Sequence, residues 1–220
     1  VGNARNGQLH LGSAPLVRKM KLDCLIINPG SRSAVYQGLG DEFSAIEPAS
    51  LAAMFATYLR RKGCSVGLID VPALGYSPQA IALWAKDVDP VLIAVVVYGF
   101  QPSASTQNMT CAGETCRAIK ELVPDAKILM TGTHPAALPE RTLREEAVWA
   151  VATGEGPRAI LAALNIAKGT AAFGPGTPGL AYRFRDTLMR TPPDELLDDL
   201  DAEMPGGAWD LLPMDKYRAH

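Results

Sequence analysis

Two glycine-containing turns have the residue spacing best suited to chemistry: Met130-Thr131-Gly132-Thr133-His134-Pro135 and Ala152-Thr153-Gly154-Glu155-Gly156. Each follows an apolar run, so each puts bare backbone at the carboxyl edge of a sheet, where open α/β folds bind ligands. Gly132, Gly154 and Gly156 let a ligand approach the main chain closely. Thr131, Thr133, His134 and Glu155 supply polar groups beside them. This spacing points to a cofactor cleft. No Ser-His-Asp arrangement is visible in the chain.

The same polar residues have plainer uses. His134, just before Pro135, could cap the following turn, and Glu155 could be an acid stabilised by a helix dipole. Asp70, Ser103 and Ser105 sit where caps are common. Cys24, Cys64, Cys111 and Cys116 form neither a Cys-x-x-Cys pair nor a zinc-like repeat. Cys111 and Cys116, in a stretch leading into a helix, read as buried or half-buried thiols. Glu145-Glu146 reads as a solvated face.

The elements that must position these turns follow from hydrophobic periodicity. After a polar leader over residues 1–20, residues 22–27 read as a strand stopped by Asn28-Pro29-Gly30. The loop over 31–46 is long for a strand-to-helix connection, and such length usually serves function. Leu51, Met54, Phe55, Tyr58 and Leu59 recur at helical spacing, and Arg60-Arg61-Lys62-Gly63 supplies a basic last turn and a glycine stop. A strand over 66–69, a turn over 72–77, a helix through Ile81, Leu83 and Trp84, and a strand over 91–97 follow. The pattern repeats with a helix over 115–122, strands over 127–130 and 148–151, and a helix over 157–168. This alternation predicts an α/β fold: a Rossmann-like (flavodoxin-like), doubly wound, parallel five-stranded sheet with a C-terminal extension.

Past Gly169 the composition changes. Residues 180–184 read as a strand, 194–203 as an acidic run, and the aromatic end around Trp209 and Tyr217 as a tail that packs on a partner outside the chain. The expected organisation is a leader (1–20), a binding domain (21–170) and an extension (171–220) that leaves the sheet domain.

Composition narrows the function. The net charge of −2 and the scattered Lys and Arg argue against nucleic acid as a partner. The longest apolar run, over 91–97, is too short to span a bilayer as a helix. With no signal-peptide pattern and no disulfide framework, the expected location is cytoplasmic.

Taken in order, Asn28-Pro29, Tyr36-Gln37-Gly38-Leu39-Gly40, Glu47-Pro48, Tyr58 to Gly63, Ile69-Asp70, Thr131 to Pro135, Gly154-Glu155-Gly156, Pro178 to Tyr182 and Trp209 to Pro213 resemble the N-terminal cobalamin-binding domain of cobalamin-dependent radical S-adenosylmethionine enzymes. The resemblance covers nearly everything from Lys21 onward. It implies a corrinoid cofactor, and a methyltransferase using methylcobalamin on an unactivated centre. Two departures matter. Many cobalamin domains carry Asp-x-His-x-x-Gly after the first strand, whereas this chain has Asn28-Pro29-Gly30-Ser31-Arg32, which excludes a His–cobalt bond from that loop. The Cys-x-x-x-Cys-x-x-Cys spacing of radical chemistry is also missing. The resemblance therefore implies the N-terminal part of a longer protein, non-catalytic alone. A C-terminal radical domain would then hold the [4Fe-4S] cluster and S-adenosylmethionine.

A corrinoid is a flat, amide-fringed ring with a long nucleotide tail. In this family reading Arg32, Tyr36 and Gln37 shape the lower face of the ring, and Tyr98 and Gly99 lie under it. Ser103 and Ser105 bond tail or amide groups. Thr131, Gly132 and Thr133, with Gly154, Glu155 and Gly156, border the tail, and His134 either touches it or caps its turn. The competing reading is a flavodoxin-like, non-catalytic cofactor-binding or regulatory domain. A flavin carrier would use Gly30-Ser31-Arg32-Ser33 as a phosphate cradle. A magnesium-dependent receiver is disfavoured because the first strand ends in Asn28-Pro29 instead of an acidic pair.

Overall fold

Strands that are apolar on both faces must be covered on both faces, and here they are. In the computed structural model, which describes residues 21–30, 45–99 and 102–219 (backbone alone at 102 and 103), the first five strands are β1 (Cys24–Asn28), β2 (Val66–Asp70), β3 (Leu92–Val97), β4 (Ile128–Gly132) and β5 (Ala150–Ala152). They pair in parallel, as the alternating pattern predicts, and their order is β2-β1-β3-β4-β5.

Two helices cover one face: α1 (Ser50–Arg61) and, later in the chain, the helix over Pro157–Ala167. Phe55, Tyr58 and Leu59 of α1 meet Ile26, Leu68, Ala94 and Val96 there. Burying a side chain such as Leu59 contributes about 1.5–3 kcal/mol. A Schellman motif closes α1: Gly63, at φ +81°, donates to the Arg60 carbonyl and Cys64 to that of Leu59. The expected turn over 72–77 contains a short helix, α2 (Val71–Leu74), ended by left-handed Gly75. Ser77 then caps α3 (Pro78–Val88), accepting from the Ala80 N–H at 3.2 Å. Helix α3 packs Ile81, Ala82 and Ala85 on the opposite face and turns Leu83 and Trp84 outward.

The helix expected over 115–122 is longer. It is α4 (Pro102–Leu122), and its first half is rich in Ser, Thr, Gln and Asn, which are weak helix formers. Burial of Ser105, Ala112, Cys116 and Ile119 against the sheet overrides that weakness. Cys111 and Cys116 thus lie within a helix, not ahead of one. Cys111 is half-buried, and burial pushes the fully buried Cys116 thiol up to about 12. After β4 come α5 (Thr133–Ala137), α6 (Pro139–Glu145), β5 and α7 (Pro157–Ala167).

The extension does not leave the sheet. β6 (Leu180–Phe184) and β7 (Thr187–Arg190) continue it antiparallel, with Val151 opposite Ala181 and Tyr182 opposite Met189. Strand β5 is only three residues long, and β6 covers what would otherwise be its open edge. Tyr182 stacks on Phe173 at 3.8 Å between centroids, and Trp149 flanks that pair.

The tail finds its partner in the domain itself. After α8 (Leu200–Glu203), Ala208 and Leu212 are buried and the Ala208 N–H donates to the Ala53 carbonyl. Arg60 makes a two-pronged contact with Asp210, and Lys62 pairs with Glu203 at 2.8 Å.

Candidate functional site

In the strand order β2-β1-β3 the chain reverses direction across the sheet between β1 and β3, and that switch point opens a crevice at the carboxyl ends. A cleft of about 250 Å³ occupies it. Asn28, Pro29 and Gly30 form one side and Val96, Tyr98 and Gly99 the other; residues 45–52 make the outer wall, and Gln107 and Asn108 close it from α4. Gly30 and Gly99 are bare for a local reason. A Cβ at Gly99 would sit 2.3 Å from that of Ala104, and one at Gly30 would sit 2.9 Å from the Pro72 ring.

A second cleft, of about 340 Å³, lies beside the first, past β4 and β5. Tyr98, Gly132, Thr133, Ala136, Gly154 and Glu155 line it together with Asp194, Glu195 and Leu196. Tyr98 is therefore a wall of both clefts. Its ring meets Phe55 edge-on at 6.0 Å, its hydroxyl donates to the Glu155 carbonyl at 3.0 Å, and its own carbonyl accepts from Asn108. Burial pushes its phenol up.

The two predicted turns thus meet in one cleft, but each residue has a particular task. Gly132, at φ +149°, is required by the fold: a Cβ there would come within 2.0 Å of the Val97 carbonyl oxygen. Gly156, at φ +110°, begins α7 against Phe55 and Thr131. Gly154 makes room for Asp194. Thr133 is exposed on the cleft wall. The buried Thr131 hydroxyl lies beside the Tyr98 phenol without a hydrogen bond of good geometry.

Ser105 is buried and engaged internally. It donates to the Val97 carbonyl and accepts from the His134 N–H at 3.0 Å, tying the ends of β3 and β4 together. The His134 ring nitrogen Nδ1 lies 2.9 Å from the Thr106 hydroxyl. Glu155 accepts from the Leu197 N–H at 3.3 Å. Arg32, Tyr36 and Gln37 lie outside the described residues, as does the Ser103 side chain.

Sequence reasoning missed a polar network under the first cleft. Asp70, at the end of β2 and fully buried, accepts from Asn28 at 2.9 Å and from the Tyr217 hydroxyl at 2.8 Å. Burial raises its carboxyl pKa, and burial followed by the contact with Asp70 pushes the Tyr217 phenol up. Next to it, Arg218 and Ile46 form a two-bond antiparallel bridge, so the tail latches the outer wall. The only cue in sequence was Asp70 directly after an apolar strand. Among the described residues no group of three or more His, Cys, Asp or Glu could hold a metal ion, and no helix is long and apolar enough to cross a membrane.

The first cleft brings the amide side chains of Asn28, Gln107 and Asn108 together with the bare backbone of Gly30 and Gly99. Residues 38–164, more than half of the chain, match the B12 binding domain family, and the chain belongs to it. An uncharacterized methyltransferase of Pyrococcus horikoshii is 29% identical over 197 residues, 89% of this chain and 40% of that protein. The chain thus spans about two-fifths of that curated relative. The fold is similar to that of the cobalamin-dependent S-adenosylmethionine radical enzyme OxsB with aqua-cobalamin and S-adenosylmethionine bound (TM-score 0.66, 16% identity, 86% of this chain and 24% of OxsB). It is also similar to the radical S-adenosylmethionine methyltransferase TsrM from Kitasatospora setae (TM-score 0.57, 17% identity, 78% and 30%).

Proposed function

We propose that this chain is the corrinoid-holding module of a cobalamin-dependent radical S-adenosylmethionine enzyme. In that enzyme methylcobalamin supplies a methyl group to an unactivated centre, while a domain C-terminal to this module carries the [4Fe-4S] cluster and S-adenosylmethionine. Residues 21–170 carry the parallel core of the corrinoid-binding domain, and residues 171–220 complete its sheet and walls and lead toward the radical domain. The observation that carries the reading is the pair of clefts at the switch point, separated by Tyr98. Against a typical ligand pocket of roughly 300–1,000 Å³, the first cleft at about 250 Å³ falls short and the second at about 340 Å³ stands at the lower end, so neither alone would bury a ligand as large as a corrinoid. Side by side they suit a ligand in two parts, a broad ring and a tail. Asn28, Gln107 and Asn108 would meet the amide fringe of the ring; Thr133 and the bare backbone at Gly154 would border the tail. The kinship of the chain, and the methyltransferase and radical enzymes it is similar to, favour this assignment.

The test is reconstitution. After incubation with hydroxocobalamin and desalting, the protein should retain corrinoid absorbance and, in a parallel trial with FMN, retain no flavin. Flavin retention, or retention of neither, would overturn the proposal. Under reducing conditions the isolated chain should release no 5′-deoxyadenosine from S-adenosylmethionine.

A further inference from the structure

The second cleft has a wall that the sheet does not supply. Residues 193–196 cross its mouth as a strap anchored at both ends. Upstream, the Pro192 carbonyl accepts from the Gly179 N–H at 2.8 Å, and Thr191 bonds both the N–H and the carbonyl of Leu180. Downstream, Leu197 is buried in the core and its N–H is held by Glu155. Arg158 adds a contact with the Glu195 carbonyl at 3.4 Å.

Asp194 is the residue this strap carries inward. Two glycines from separate turns clear the space for it: a Cβ at Gly154 would lie 3.0 Å from the Asp194 Cβ, and one at Gly179, where φ is +76°, would lie 2.8 Å away. Its Oδ1 is buried and has no hydrogen-bond partner. An unsatisfied buried carboxylate oxygen is costly and calls for an explanation. Its polar neighbours do not satisfy it: Arg158 reaches the Glu195 carbonyl instead, and Glu155 is a carboxylate with no proton to donate.

Resting on the corrinoid reading above, we propose that Asp194 is a specificity residue for the ligand's tail, accepting a hydrogen bond from a hydroxyl or amide N–H of the group that enters the second cleft. Its place on the strap would let the module distinguish a corrinoid with a nucleotide tail from one without. The groups facing Asp194 are the Glu155 and Glu195 carboxylates, which repel a second anion, and the Arg158 guanidinium. Of the tail's groups a hydroxyl or amide donor therefore suits this wall, and the tail's own phosphodiester would have to lie away from the three carboxylates.

The experiment compares hydroxocobalamin with diaquocobinamide, which lacks the nucleotide tail, by titration against the wild-type chain, Asp194→Ala and Asp194→Asn. Cobalamin affinity should fall about tenfold or more in Asp194→Ala and less in Asp194→Asn, which keeps one acceptor oxygen, while cobinamide affinity stays unchanged in both. Equal losses for the two corrinoids, no loss, or tighter cobalamin binding in the variants would overturn the role of Asp194 while leaving the module a corrinoid binder. A wild-type chain that binds neither corrinoid would instead overturn the corrinoid reading, and this inference with it.

Discussion

The two clefts share a wall yet are built differently. The first is framed by strand ends and by the 45–52 wall, and Glu47 is its one carboxylate among the described lining residues. The second is framed on one side by glycine turns and on the other by a strap, with Glu155, Asp194 and Glu195 around it. Both depend on residues beyond 170: the first through the latch of Tyr217 and Arg218, the second through the strap. The difference teaches that the sheet edge alone makes half a site, and that the segment facing it adds the charge: residues 45–52 bring Glu47 to the first cleft, and the strap adds Asp194 and Glu195 to Glu155 in the second.

Substitutions can break or sharpen this contrast. The largest effect is expected at Gly132, which is bare because of the neighbouring strand and not because of a ligand. Gly132→Val should cost about 3 kcal/mol or more by clashing with Val97 and straining the backbone. A denaturation midpoint equal to that of the wild type would refute this. Next, Leu51→Trp, at a half-exposed position on the first cleft, should lower corrinoid retention about tenfold and shift the melting temperature by only about 2 °C. Retention at the wild-type level would remove the first cleft from the ring's path.

Smaller effects test the latch. Tyr217→Phe withdraws a donor from buried Asp70 and should cost about 1–2 kcal/mol, read by urea denaturation. The Asp70 carboxyl is raised by burial above its ordinary value of 3.8. As pH climbs past about 4, the unfolded chain loses this proton first while the folded one keeps it, so stability falls until the folded group also ionises. The stability of the wild type relative to Asp70→Asn should therefore decline from about pH 4 upward and then level off; a difference independent of pH would contradict the raised carboxyl. The smallest change is expected for Arg60→Ala. Its contact with Asp210 is exposed and should be worth under about 1 kcal/mol, measured as a slight drop in the midpoint at low salt.

Periodicity made the parallel core readable, because strands such as Leu92–Val97 are apolar throughout and the helices between them are amphipathic. The edge was harder. Leu180-Ala181-Tyr182 was legible as a strand, but nothing local to it says that it pairs with Val151 and stays in the sheet. The glycine turns were rightly placed near one another, whereas the reasons for Gly132 and Gly154, a carbonyl of β3 and a carboxylate forty residues downstream, are tertiary. Ser105 shows the same limit: its type suits a ligand, and its burial commits it to Val97 and His134.

The latch has a practical corollary for handling the module. Residues 217 and 218 are stitched to residues 70 and 46, so the last residues of the described chain clasp the end of β2 and the outer wall of the first cleft. A fragment trimmed at residue 170, where the helix–strand alternation ceases, would lose two strands, the strap and the clasp together. It should expose the β5 edge and aggregate, whereas a cut after residue 218 keeps every wall in place.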